Sequence, residues 1–352
     1  MKVKLYLILI LLVTGCSPES VPVKSVESEQ KQVIYPYILP SSSFYNVLGW
    51  QDSNNILIAQ KNKQSIQIIS HDLYRNDSTL LFETKEGVSQ IYLSPSKTKA
   101  LTVKPLSDQQ VEIEITDMST GEWIDSSMLE GNEFDFRWNE YNETLILITS
   151  FNEEWEADVK VMDLSDQSIN SFDDFPPFAR WIEEGSLFYK DPESGTSVTY
   201  VLEEKRKLFD GEPIEMIRAN EDYIVKTIRN SDKDEITYRI ESESALIHEV
   251  STGFLTEYDQ QLLPAYELTE DAFIYFSPNE PGEYEYGKGQ YSLMGMNLKT
   301  GSMGTILENT ENHQISCNQS GTHCLIGHHL TSMINIEDRS NRPIILFEEE
   351  IQ

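Results

Sequence analysis

The sequence predicts an all-β fold, a single closed β-propeller of four-stranded blades. Three observations carry that expectation. One short phrase recurs seven times along the chain, an alternating strand follows each recurrence, and nothing beyond the first 32 residues shows the periodicity of an amphipathic helix.

The recurring phrase is an apolar anchor, a polar turn and a short apolar strand. It reads Trp50-QDSNN-ILIA, Leu93-SPSKTK-ALTV, Trp138-NEYNET-LILI, Trp181-IEEGS-LFY, Ile217-RANED-YIV, Leu268-TEDA-FIYF and Cys317-NQSGTH-CLIG. The anchors are separated by 43, 45, 43, 36, 51 and 49 residues. A second pattern ends 20 to 29 residues after each anchor, an alternating strand closed by an acidic or amide residue: IQIISHD, VEIEITD, VKVMD, VTYVLE, ITYRIE, SLMGMN and MINIE. Period-2 alternation between turn residues means antiparallel strands. Each unit offers four of them, the size of a propeller blade. The competing architecture is a pair of β-sandwiches of about 150 residues each, which the regular anchor spacing disfavours. Closing the ring would also remove the sheet edges that a long β-protein must otherwise protect.

The first residues read as an address. Lys2 and Lys4 precede an apolar run at 5–13. Nine helical residues span about 13 Å, well short of the roughly 30 Å of a bilayer core. Residues 1–15 are therefore expected to be a signal peptide rather than a membrane span. The run ends in Val13-Thr14-Gly15-Cys16, which resembles the lipobox of bacterial lipoproteins. That resemblance implies cleavage before Cys16 and attachment of acyl chains, palmitate among them, to its thiol. Ser17 follows, so nothing resembles an inner-membrane retention signal. Residues 16–32 form the lipidated cysteine and a polar, flexible tether, and 33–352 the propeller. The expected location is extracytoplasmic, lipid-anchored to the cell membrane.

Charge narrows the partners. The chain has 27 Lys plus Arg against 59 Asp plus Glu, a net charge of −32. Such a surface disfavours nucleic acid and anionic membranes, leaving the lipid as the only membrane contact. Three cysteines are too few for a disulfide-dense scaffold or a multi-cysteine zinc cage.

Leu93-Ser94-Pro95-Ser96 and the anchors Trp50, Trp138 and Trp181 resemble a degraded form of the Trp-Ser-Pro-Asp-Gly turn of TolB-like propellers. Together with the lipobox and tether, the chain looks like the YqgU-like lipoproteins of Bacillus and its relatives. That family is described as a six-bladed propeller of unassigned function. The resemblance thus implies six blades where the anchors count seven. An irregular unit within 205–265, where the spacing is least even, is the expected source of the conflict.

No nucleophile elbow, zincin helix, P-loop or dinucleotide fingerprint occurs, and no cofactor is expected. The acidic pairs Glu153-Glu154, Asp173-Asp174, Glu183-Glu184 and Glu203-Glu204 are scattered and read mainly as a solvated surface. His313 and His328 could supply two metal ligands but not a third; Asp232, Asp234 and Glu235 are the densest candidate for Ca²⁺. In the hairpin HQISC-NQSGTH-CLIGH, Cys317 faces Cys324, and an oxidising location favours a disulfide between them. The loops expected on one face of the ring carry aromatics among acids: Trp155, Phe172, Phe175, Phe178, Tyr284 and Tyr286. Such a face suits a binding surface for an envelope protein or a cell-wall glycan. The competing reading folds those rings back between blades. The expected function is a non-enzymatic binding or scaffolding module, and the alternative is an envelope polysaccharide hydrolase using carboxylates of the central channel.

Overall fold

The computed structural model describes residues 33–350 except 173–174, 192, 211–213, 221, 231–234, 243–244 and 258–259. The expected signal peptide (1–15) and the lipidated tether (16–32, with Cys16) lie outside the described residues. So do Asp173, Asp174, Asp232 and Asp234.

Seven antiparallel four-stranded sheets follow one another along the chain, each in simple up-and-down order. We call them blades 1 to 7, spanning 44–83, 90–130, 133–172, 180–210, 214–253, 266–310 and 315–343. Burial explains the strand types. Second strands are sandwiched between neighbouring blades, so Ile56, Leu57, Ile58 and Ala59 in succession are fully buried. Third strands alternate: Val111, Ile113 and Ile115 are buried, with Glu112 and Glu114 half-buried between them. Outermost strands such as Asp77–Glu83 are largely exposed.

The acid or amide that closes each third strand has a local role. The Asp117 carboxylate accepts hydrogen bonds from the Ser119 and Thr120 amides at 2.9 and 3.0 Å. Asp72 and Asn297 cap the equivalent turns in the same way. These are Asx-turns, which bend the chain without spending a ladder hydrogen bond.

The core is divided among the seven interfaces between neighbouring blades, one apolar cluster at each. Among the described residues the cluster between blades 4 and 5 is the smallest, built on Phe188, Ile214 and Ile217. The one between blades 7 and 1 is much larger. There the ring closes without a shared blade. Tyr37–Leu39 lies parallel to Ile345–Phe347, and the Trp50 indole N–H donates to the Ser316 carbonyl at 2.9 Å.

The uneven spacing at 205–265 has a different cause from the irregular pairing expected there. Blade 5 is a complete four-stranded sheet with two local register shifts. The surplus chain forms the hairpin Leu255–Glu257 with Gln260–Leu262, which pairs in turn with Gly282–Glu283 of the blade 6 insert. In blade 7, Cys317 lies opposite Cys324 and a disulfide joins them.

Candidate functional site

Two regions stand out, one on a loop face and one inside the ring. The first is built on the loop between the second and third strands of blade 3. Asn152 folds that loop: its side chain accepts from the Glu156 amide and donates to the Glu156 carboxylate, both at 2.8 Å. The tight turn puts Trp155 at φ +63°, and the connector to blade 4 puts Phe178 at φ +67°. Bulky side chains avoid this left-handed region, at a cost on the order of 1–3 kcal/mol each. Both rings nevertheless stand in solvent, Trp155 71% and Phe178 61% exposed. Both pack on the same buried ring, Phe151, at centroid distances of 5.9 and 5.7 Å. Next to this aromatic clip a cavity of about 710 Å³ lies between blades 2 and 3. Its lining is polar, with Gln109, Asn132, Asn152, Glu130, Glu154 and Glu156. The Gln109 amide donates to Glu153 at 2.7 Å and so ties the two blades' loops together.

The other aromatics expected on this face are placed differently. Phe175 is only 7% exposed and packs on Tyr189 and Tyr200 at 4.7 and 5.2 Å. Half-buried Phe172 leans on the same group. These two rings fold back between blades 3 and 4 because the connector has an apolar cluster within reach, and they are withdrawn from the surface. Tyr284 and Tyr286 belong to blade 6, three blades away around the ring. Tyr284 is half-buried and donates its hydroxyl to Glu311 at 2.9 Å. Burial, then Glu311, push its phenol up to about 12. Tyr286 is 86% exposed. The single six-residue face therefore resolves into a clip of Trp155 and Phe178 and a separate tyrosine on blade 6.

The second region is the central channel, about 1040 Å³, lined by the innermost strands of all seven blades. The residue preceding each blade's anchor forms one layer of it. Around the ring this layer reads Tyr92, Arg137, Arg180, Arg218, Glu267 and Ser316 in the channel lining, with Gly49 in the remaining register position. The turns define the register. The backbone N–H of Gln51, Ser94, Asn139, Asn220, Thr269 and Asn318 each closes the turn by bonding the carbonyl where the next strand begins. Blade 5's anchor is therefore Ala219, not Ile217. Arg137 donates to Asp135 at 2.6 Å and Arg218 to Glu267 at 2.9 Å. Burial pushes the Glu267 carboxyl up to about 7 against the pull of Arg218. Lys97 and Glu140 also line the channel. Among the described residues no three of His, Cys, Asp or Glu converge on a point that could hold a metal.

Fold and sites define a class: a β-propeller whose blades are contiguous in sequence and whose ring carries a loop-face aromatic clip and a charged channel. The chain belongs to the YqgU-like 6-bladed β-propeller domain family, whose model matches residues 72–327. The match starts at the end of blade 1's third strand and stops just after blade 7's second strand. The family description counts six blades; this chain has seven four-stranded sheets. It is similar to the uncharacterized lipoprotein YqgU of Bacillus subtilis, 19% identical over 98% of this chain and 97% of that protein. An uncharacterized protein of Listeria monocytogenes shares the fold at TM-score 0.81 and 17% identity, over 90% of this chain and 98% of that one. The β-propeller domain of the Trilobed protease from Pyrococcus furiosus, which has an open velcro topology, gives TM-score 0.52 at 14% identity, over 86% and 99%.

Proposed function

We propose that this chain is an extracytoplasmic lipoprotein, held to the cell membrane by acyl chains on Cys16, whose propeller binds an envelope component rather than transforming it. The observation that carries the binding role is the Trp155–Phe178 clip. Two bulky residues occupy strained backbone and stay exposed over one buried ring, at the edge of an amide- and carboxylate-lined cavity. Exposed apolar rings with polar groups converging beside them suit ligand capture. A ring face stacks on the C–H face of a sugar, while amides serve as donor and acceptor for its hydroxyls. Glu130, Glu154 and Glu156 favour a neutral or amine-bearing glycan over an acidic one. The cell-wall glycan is therefore the favoured partner, and an envelope protein the second. The anchor is supported by the lipobox-like Val13-Thr14-Gly15-Cys16 and by the lipoprotein relative from Bacillus subtilis. The hydrolase alternative draws no support from the channel, where Glu267 is tied to Arg218 among cations.

Two experiments test this reading. Cys16→Ala should move the protein from the membrane to the soluble fraction; unchanged membrane association ends the lipoprotein reading. Trp155→Ala with Phe178→Ala should cut retention on purified cell-wall glycan at least tenfold with the fold intact. Full retention by the double variant would sink the clip. Release of reducing sugar from walls by the pure protein would overturn the non-enzymatic role.

A further inference from the structure

In a chain with 59 acidic residues against 27 basic ones, the inside of the ring has the opposite bias. Four cations, Lys97, Arg137, Arg180 and Arg218, line the channel against the carboxylates Glu140 and Glu267. Three of the cations are arginines in one layer, from the adjacent blades 3, 4 and 5. The outer two are engaged, Arg137 with Asp135 and Arg218 with Glu267. Arg180, between them, has no carboxylate within ion-pair reach among the described residues. Its one polar contact is Nη1 to the Met216 sulfur at 3.8 Å. Arg180 is exposed to the channel's solvent, and desolvation by the surrounding ring, then the neighbouring Arg137, lower its pKa from the usual arginine value. A guanidinium that has no carboxylate partner and is exposed to the channel keeps its donors open to an incoming anion. Trp138, also in the channel wall, has a buried indole N–H with no acceptor among the described residues. The cations face the channel, while the chain as a whole is acidic.

We infer that the channel is a binding site for a small oxyanion ligand, its phosphate or carboxylate group held by the fork of Arg180 and flanked by Arg137 and Arg218. Guanidinium forks match both groups through paired N–H donors. Engagement of Arg137 and Arg218 by their own carboxylates leaves Arg180 as the group free to take the ligand. The cavity has room for more than the anion alone, and Tyr92, Phe136, Trp138 and Tyr141 in its wall would meet the remainder of the ligand. The residues lining this site are separate from those of the aromatic clip, although Arg180 opens blade 4's first strand two residues after Phe178.

The test titrates inorganic phosphate and, separately, citrate into the intact soluble domain at fixed ionic strength, reading calorimetric heat and tryptophan fluorescence. Saturable binding of either anion is expected, and which one binds tighter separates a phosphate ligand from a carboxylate one. Arg180→Gln should weaken it at least tenfold, and Arg180→Lys, which keeps the charge without the fork, at least threefold. Lys61→Gln, on the exterior, should leave it within twofold. A response no different from that to sodium chloride at matched ionic strength overturns the inference. So does unchanged affinity in Arg180→Gln. If Arg180→Gln does not fold, unchanged affinity in Arg180→Lys overturns it instead.

Discussion

The aromatic clip and the arginine layer contradict local rules in opposite ways. The clip exposes apolar rings where an acidic surface would be more soluble, and does so on left-handed backbone. The channel gathers like charges where an apolar plug would be more stable. Within the blades the strands follow the pattern closely, with second strands buried, third strands alternating and turns capped by acids or amides. Departures of this kind concentrate where function outweighs stability. The clip spends backbone strain and the channel spends electrostatic repulsion, so the two should respond to different perturbations.

The sharpest separation comes from exchanging variants between assays. Arg180→Gln should lose at least tenfold in phosphate or citrate affinity yet keep wild-type glycan retention. Trp155→Ala with Phe178→Ala should do the reverse, with anion affinity within twofold. If either variant damages both activities, the regions form one site and the distinction collapses.

A smaller effect follows from pH. The Glu267 carboxyl sits near 7, chiefly because of burial, with Arg218 and Lys97 opposing and Glu140 adding to the rise. Lowering the pH from 8 to 6 protonates it, removes one negative charge from the channel and leaves Arg218 unneutralised. Sulfate, which does not itself titrate in that range, should then bind severalfold tighter at pH 6 than at pH 8. The other charged groups lining the channel are Arg180, Arg137, Arg218, Lys97 and Glu140. Glu267→Gln should flatten the profile; a profile unchanged in that variant would assign the pH effect elsewhere. Glycan retention has no counterpart to this group and should change less.

The smallest expected effect is on stability. Trp155→Gly relieves a left-handed penalty on the order of 1–2 kcal/mol, offset by glycine's larger unfolded-state entropy, about 0.5–1 kcal/mol, and by the lost packing on Phe151. Urea denaturation should therefore show a midpoint equal to or slightly above wild type while retention falls. A loss above about 2 kcal/mol would mean that Trp155 supports the fold rather than a ligand.

How much of this was legible depended on periodicity. Six of the seven anchors in the sequence sit in the register position the structure assigns them. The seventh failed because blade 5 has a shorter turn. Asn220 bonds Tyr223 directly and caps Asp222 and Tyr223 with its side chain. The sequence pattern predicts a five-residue turn, which selects the apolar Ile217 two residues early. That slip also hid the arginine layer. Arg137, Arg180 and Arg218 each precede their anchor by one residue, but Arg218 does so only once Ala219 is the anchor. Charges 43 and 38 residues apart have no visible relation until the ring superposes them. The clip was visible as aromatics in loops, yet a connector has no period to say which ring turns inward. Phe175 and Phe178 are three residues apart, and only the adjacent Tyr189–Tyr200 pocket decides that the first is buried and the second exposed.

Each blade completes itself from one uninterrupted stretch of chain, and the ring is sealed by a separate clasp of Tyr37–Leu39 on Ile345–Phe347. Among the described residues no strand is loaned from one end of the chain to a blade at the other. A gene encoding such a ring can gain or drop a whole blade by duplicating or deleting one cassette, without orphaning a strand elsewhere. Blade number is then free to drift among relatives while the clasp stays the same. A seven-sheet ring inside a family described by six needs no rewiring of its topology.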